Sequence, residues 1–259
     1  ASEPTMKLKN PRQIERIRDS GLILANTLRE LGEMVEPGLP LVELDTKCRS
    51  LLEAAGARPA FLGYMGFPSS VCVSVNEAVI HGIPTKRRLQ EGDVVSLDLG
   101  VDLEGFISDS AATFRVGTVS DEVDRLLRVT QEALWKGIRA ARPGGRVHDI
   151  SAAVADHVEP YGYGIVRPYC GHGVGFAVHE EPQVPNYVSR GPNPRLKPGM
   201  VLAIEPMINL GGDEVEVLDD DWTVVTEDGS ISAHYEHTIA ILEDGVQVLT
   251  YFDETVEVS

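Results

Sequence analysis

The chain has 259 residues, a formal net charge of −17 and three cysteines, long enough for one large domain or two modest ones that bury roughly three quarters of the unfolded surface. The negative charge disfavours non-specific attraction to nucleic acid or an anionic membrane, no apolar run reaches membrane-spanning length, and Ala1 to Lys7 lack the hydrophobic stretch of a secretory signal. Cys48, Cys72 and Cys170 are too few and too far apart for a disulfide framework or a Cys-x-x-Cys zinc site, so reduced thiols and a cytoplasmic setting are expected.

The first element is a helix: Asn10 can cap it, Pro11 suits its first position, and Ile14, Ile17, Leu24, Leu28 and Leu31 form an apolar stripe that should pack on a sheet. A turn at Pro37-Gly38 precedes a second amphipathic segment, with Leu41, Leu44, Cys48, Leu51 and Leu52, that stops near Gly56. From Pro59 to Pro84 the glycines, the aromatic residues and the apolar run Val71 to Val75 read as loops and strands that form a pocket wall. Val94 to Asp109 then reads as a hairpin of buried strands with a Gly100 to Gly105 connection, carrying Asp98 on one strand and Asp109 on the other. A carboxylate among Val, Leu and Ile is costly to bury without a cation or donors. Two side by side point to a metal, although either one alone also fits a solvated face or a turn cap.

A helix from Ser120 to about Arg142 follows, with Asp121 and Glu122 in its first turn, and ends at Pro143-Gly144. Here a repeat becomes visible. Helix, Pro-Gly and amphipathic segment occur twice, and Gly92 to Asp98 matches Gly199 to Glu205 at nearly the same offset, which predicts two similar halves, each with two helices and a strand ending in an acid. Packed about a pseudo-two-fold, the halves would bring Asp98 and Glu205 to one site; chance similarity of strand patterns is the other reading. His172 and His179 lie among glycines, which exclude helical ligand spacing and let backbone approach a ligand. Ala233 to Ile241 reads as a strand that holds Glu236, and His148, His157, His234 and His237 read as structural side chains.

Taken together, His81-Gly82-Ile83-Pro84, Asp98, Asp109, Gly171 to Gly175, His179-Glu180-Glu181-Pro182, Ile204-Glu205-Pro206 and Tyr235-Glu236-His237-Thr238 resemble the motifs of type I methionine aminopeptidases, from about Asn10 to Leu249. The resemblance implies an α+β pita-bread fold in which two pseudo-symmetric halves pack helices on a curved, mainly antiparallel sheet. Residues 1–9 would form a tail and 10–259 one catalytic domain, with halves of about 10–115 and 116–250. It implies two divalent ions held by Asp98, Asp109, His172, Glu205 and Glu236, with Asp109 and Glu236 bridging. His81 and His179 would hydrogen-bond the scissile amide, and Glu205 would shuttle the proton of a metal-bridging water that attacks as hydroxide. Four carboxylates and one imidazole suit Mn²⁺, Fe²⁺, Co²⁺ or Zn²⁺ rather than a closed structural zinc.

By the same resemblance Phe61, Tyr64, Phe67, Cys72, Val178 and Trp222 would form the methionine pocket, together with His81 and His179. Asn76, Ala78 and Ser232 would hold a monovalent cation such as Na⁺ or K⁺. Phe61, Met65, Phe67 and Phe176-Ala177-Val178 depart from a common bacterial pattern and bear on pocket shape. The implied activity is removal of the N-terminal methionine before a small second residue. The implied partners are nascent polypeptide N-termini near the ribosome, met by a monomer that engages neither nucleic acid nor membrane. A proline-specific peptidase of the same fold and a non-catalytic pita-bread binding protein are the alternatives.

Overall fold

In the computed structural model residues 6–252 are described, so the expectations for residues 1–5 of the tail and for 253–259 lie outside the described residues. Asn10 opens α1 (Pro11–Met34) with a reciprocal cap: its side-chain oxygen accepts from the Gln13 N–H, and the Gln13 side chain accepts from the Asn10 N–H. Ile14, Ile17, Leu24, Leu28 and Leu31 are buried along one face, as their spacing predicts. After the Pro37-Gly38 turn, α2 (Leu41–Ala54) buries Leu41, Leu44, Cys48 and Leu52. The strands of the first half are β1 (Arg58–Pro59), β2 (Cys72–Val75), β3 (Ala78–Ile80), β4 (Val94–Leu103) and β5 (Phe106–Arg115).

The second half begins in the same way. Ser120 caps α3 (Asp121–Ala140) through the Val123 N–H, and α4 (Val147–Val158) follows the Pro143-Gly144 turn. The remaining strands are β6 (Gly164–Ile165), β7 (Gly171–Gly173), β8 (Glu180–Val184), β9 (Val201–Ile204), β10 (Met207–Asn209), β11 (Val215–Val217), β12 (Val224–Thr226), β13 (Ser232–His234), β14 (His237–Ile241) and β15 (Val246–Val248). Every pairing between these strands is antiparallel, in four hydrogen-bonded sheets: β1-β4-β2 with β5 on β4, β13-β10-β6, β11-β12-β3, and β15-β14-β9-β7-β8.

Three details differ from the sequence reading. The hairpin turn is Glu104-Gly105, both with positive φ, and not the Gly100 to Gly105 stretch; Asp102 accepts from the Gly105 N–H there. Gly100 stays in β4 because it serves packing: a Cβ on it would lie 2.7 Å from the Phe61 ring. For the same reason Asp98 sits inside β4 and does not end it, whereas Glu205 directly follows β9. The expected strand from Ala233 to Ile241 is two strands, β13 and β14, that belong to different sheets and break at Tyr235-Glu236. Their partners β10 and β9 are separated by Glu205-Pro206, and the Tyr235 N–H donates to the Pro206 carbonyl. Both carboxylates therefore lie where paired strands change sheet.

Each helix pair covers its own apolar core. Leu24, Leu31, Leu44 and Leu52 pack with Val95, Leu97 and Leu99 of β4, and Leu126, Leu134, Ile138, Ile150 and Val154 pack with Leu202, Ile204 and Ile239. Strand alternation puts Leu97 and Leu99 against the first core while Ser96, Asp98 and Gly100 face the other way. Leu97→Ala is therefore expected to lower stability by about 2–5 kcal/mol in a urea titration. A loss below about 1 kcal/mol would contradict this packing.

Candidate metal centre and cavity

Asp98 pairs across the hairpin with Ala111 and Asp109 with Gly100, so the two carboxylates are diagonal neighbours on one face. Thr238 fixes the Asp109 main chain: its hydroxyl donates to the Asp109 carbonyl at 2.6 Å and accepts from the Asp109 N–H at 3.1 Å. Glu236 is held by exchange of main-chain bonds with Ala111, and its carbonyl accepts from the Ser110 hydroxyl at 2.6 Å. His172 comes from β7. A Cβ on the neighbouring Gly173 would meet the Glu181 carbonyl oxygen at 2.3 Å, so glycine is what lets β7 and β8 close behind the imidazole.

These side chains converge and are buried. Ligand atoms of Asp98, Glu205, His234 and Glu236 lie within 4.8 Å of one another, as do those of Asp109, His172 and Glu236. All are buried, and Glu236 is fully so at 0% exposure. Asp98 Oδ1, Asp109 Oδ1 and both Glu236 oxygens have no hydrogen-bond partner among the described residues. Burial, then the neighbouring carboxylates Asp109 and Glu205, push Asp98 well above the usual carboxylate range, and burial with Asp109, Glu205 and Asp98 does the same to Glu236. Burial acts on Glu205 too, but His172 and His234 outweigh it and hold that carboxyl low.

His172 decides what such a set can hold. Its Nδ1 lies 2.8 Å from the Gly173 carbonyl oxygen, an atom that only accepts, so Nδ1 carries the proton. Its Nε2 faces Glu205 Oε1 at 3.1 Å and Asp109 Oδ2 at 3.5 Å; burial opposes charge on the ring, but hydrogen bonds to those two carboxylates outweigh it and raise the imidazole pKa well above its ordinary value. The four orphaned carboxylate oxygens beside it still call for cations. An oxygen-rich set with one imidazole, whose outer N–H is anchored on a carbonyl, fits divalent ions of the Mn²⁺, Fe²⁺, Co²⁺ or Zn²⁺ type.

The centre forms the floor of a cavity of about 380 Å³. Phe61, Tyr64, Phe67, Cys72 and Trp222 line it together with His81, His179, Tyr169, Cys170 and Met207, and Phe67 meets Trp222 edge-on at 5.1 Å between ring centroids. Met65, with φ of 49° and 80% exposure, sits on the rim. His81, at φ of 60°, packs edge-on against Tyr169. The Nδ1 of His179 is 3.1 Å from the Tyr64 hydroxyl, and its ring centroid is 4.2 Å from that of His172. Burial lowers the pKa of both histidines, His172 adding to the effect at His179.

Residues 15–243 match the model of metallopeptidase family M24. The chain belongs to that family. It is 50% identical over 243 residues to the methionine aminopeptidase of Clostridium perfringens, which covers 94% of this chain and 98% of that one. Among solved structures, methionine aminopeptidase from Thermotoga maritima matches with a TM-score of 0.93 at 42% identity, covering 95% of this chain and 99% of that one. Prolidase from Pyrococcus furiosus matches with a TM-score of 0.77 at 26% identity over 95% of this chain but 66% of its own. The pita-bread architecture implied by the motifs is the fold of this M24 chain.

Other residues named for the M24 site lie around this centre. Val178 is buried in the apolar cluster that also holds the cavity-lining Phe61, Phe67 and Cys72, and is not itself among the lining residues. His234, read from sequence as structural, is 1% exposed and bonds Glu205 Oε2 at 3.0 Å. Lys9, placed by sequence in the tail, is buried and pairs with Glu180 at 2.5 Å, while the other Glu180 oxygen accepts from the Phe176 and Ala177 N–H groups. That pair ties the start of α1 to the loop that presents His179. In the trio expected to hold a monovalent cation, the Asn76 carbonyl accepts from the Ser232 N–H and the Asn76 side-chain oxygen from the Val94 N–H, while Ala78 lies in β3. Cys48, Cys72 and Cys170 form no disulfide.

Proposed function

We propose that this M24 chain is a metal-dependent aminopeptidase that removes the N-terminal methionine from polypeptides with a small second residue. One observation carries the reading: buried carboxylates with oxygens orphaned unless cations join them, gathered around His172, form the floor of an apolar cavity edged by aromatic rings and by the sulfur-bearing side chains of Cys72, Cys170 and Met207. Such a cavity suits an unbranched thioether side chain. Asp98, Asp109, His172, Glu205 and Glu236 would hold two divalent ions, which supply Lewis acidity toward a water and the substrate carbonyl when bound.

The protein's own groups do the rest. The aromatic wall orients the methionine side chain and excludes water. His81 and His179, kept neutral by burial, donate to the scissile amide and to the oxyanion that develops from it. Glu205 takes the proton of the attacking water and returns it to the departing nitrogen. Nascent chains at the ribosome are the substrate source in this reading, met by a monomer in the cytoplasm. The charge of −17 opposes direct attachment to nucleic acid, and among the described residues no helix is long and apolar enough to cross a membrane.

In this reading the second residue of the substrate passes the cavity floor beside Gly171 and His172, and crowding there selects small side chains. With Mn²⁺ or Co²⁺ supplied, a Met-Ala-Ser peptide is expected to release methionine at least about 10²-fold faster than Met-Leu-Ser, measured as kcat/KM by mass spectrometry. Preferential cleavage of Xaa-Pro peptides lacking methionine would move the assignment to the proline peptidases. Cleavage of nothing by metal-loaded protein would favour a binding module.

A further inference from the structure

We propose that His234 is a positioning residue that holds Glu205 through an Nε2–H donated to Oε2, leaving Oε1 free to face the metal centre; this rests on the metal reading above. Glu205 has its two oxygens divided between two imidazoles, with Oε1 at 3.1 Å from His172 and Oε2 at 3.0 Å from His234. The imidazoles differ in what their far nitrogens meet. The His172 Nδ1 donates to the Gly173 carbonyl, which is how a ligating histidine is normally fixed. The His234 Nδ1 is buried with no partner among the described residues.

If the His234 Nε2 presented a lone pair to an ion, its proton would sit on Nδ1, buried with nothing to accept it. With the proton on Nε2, the same ring makes a charge-assisted bond to Glu205 and leaves only a lone pair alone. The proximity of His234 to Asp98, Glu205 and Glu236 thus assigns it to holding a ligand, not to being one. Its backbone is set for this. Met207 is its register partner on β10, two residues beyond Glu205, and the His234 N–H and carbonyl both bond the Thr113 hydroxyl. Those bonds tie it to the strand that carries Asp109.

The test is calorimetric titration of the metal-free protein with Mn²⁺ alone, read beside peptide turnover and the visible spectrum of the Co²⁺ form. His234→Ala is expected to weaken Mn²⁺ binding by roughly 10- to 100-fold. His234→Gln, whose amide can still donate, is expected to stay within a few-fold of wild type with the same Co²⁺ spectrum. If Ala lowers the melting temperature of the metal-free protein, His234→Leu, which keeps volume without a donor, carries the same expectation. Unchanged affinity in Ala or Leu overturns the proposal. Equal loss in Gln with an altered Co²⁺ spectrum overturns it too, by making His234 a ligand. A wild type that binds no Mn²⁺ sinks the metal reading and this role together.

Discussion

Glu236→Gln abolishes turnover: kcat/KM for a Met-Ala-Ser peptide is expected to fall by roughly 10³-fold or more, because the metal contribution of several kcal/mol is withdrawn. The substitution changes charge and almost nothing else. Glu236 is 0% exposed, its main chain stays pinned to Ala111 and Ser110, and neither carboxylate oxygen bonds any protein group that an amide would lose. Its carboxylate lies within 4.8 Å of ligand atoms of Asp98, Glu205 and His234, and likewise of Asp109 and His172. Wild-type protein should gain about 2.7 kcal/mol of stability when free Mn²⁺ reaches a hundred times its Kd, and the variant should lose most of that gain. A chelator should silence the wild type, and added Mn²⁺ or Co²⁺ should restore it. Full turnover after exhaustive chelation, with metal content measured as nil, would refute the metal centre.

Why the carboxylates could be found in sequence while His234 could not is a matter of locality. Asp98 and Asp109 stand out because a charge inside a Val- and Leu-rich strand contradicts its surroundings within a few residues. Glu205 announces itself through the repeat, and His172 through flanking glycines. His234 has no such local contradiction: its place beside Glu205 follows from the register of β13 against β10 and from the break at Tyr235-Glu236, neither of which a local pattern encodes. Lys9 is hidden for the same reason. Its partner Glu180 is 171 residues away, so a lysine before the first helix reads as tail. Two glycines, Gly100 and Gly105, compete for the turn, and the approach of Phe61 to Gly100 shows that the first belongs to the strand.

His81→Ala or His179→Ala is expected to lower kcat by roughly 10²-fold or more while Mn²⁺ binding stays within a few-fold of wild type. Neither histidine belongs to the groups whose ligand atoms converge, yet both line the cavity directly above them. Burial keeps each ring neutral, so each offers one N–H donor and one acceptor rather than a competing positive charge beside the ions. At His179 the Tyr64 hydroxyl lies 3.1 Å from Nδ1; in the tautomer where that hydroxyl donates, the proton sits on Nε2, the atom left to reach a substrate carbonyl. Tyr64→Phe should then cost less than losing the ring itself, roughly tenfold in kcat, because the tautomer is no longer fixed. The 4.2 Å between the His172 and His179 ring centroids makes the alternative concrete. If His179→Ala released an ion in calorimetric titration, His179 would be a ligand, and the loss of rate would say nothing about an oxyanion. If instead both ions stay and KM changes little while kcat falls, the histidine acts where charge develops on the amide.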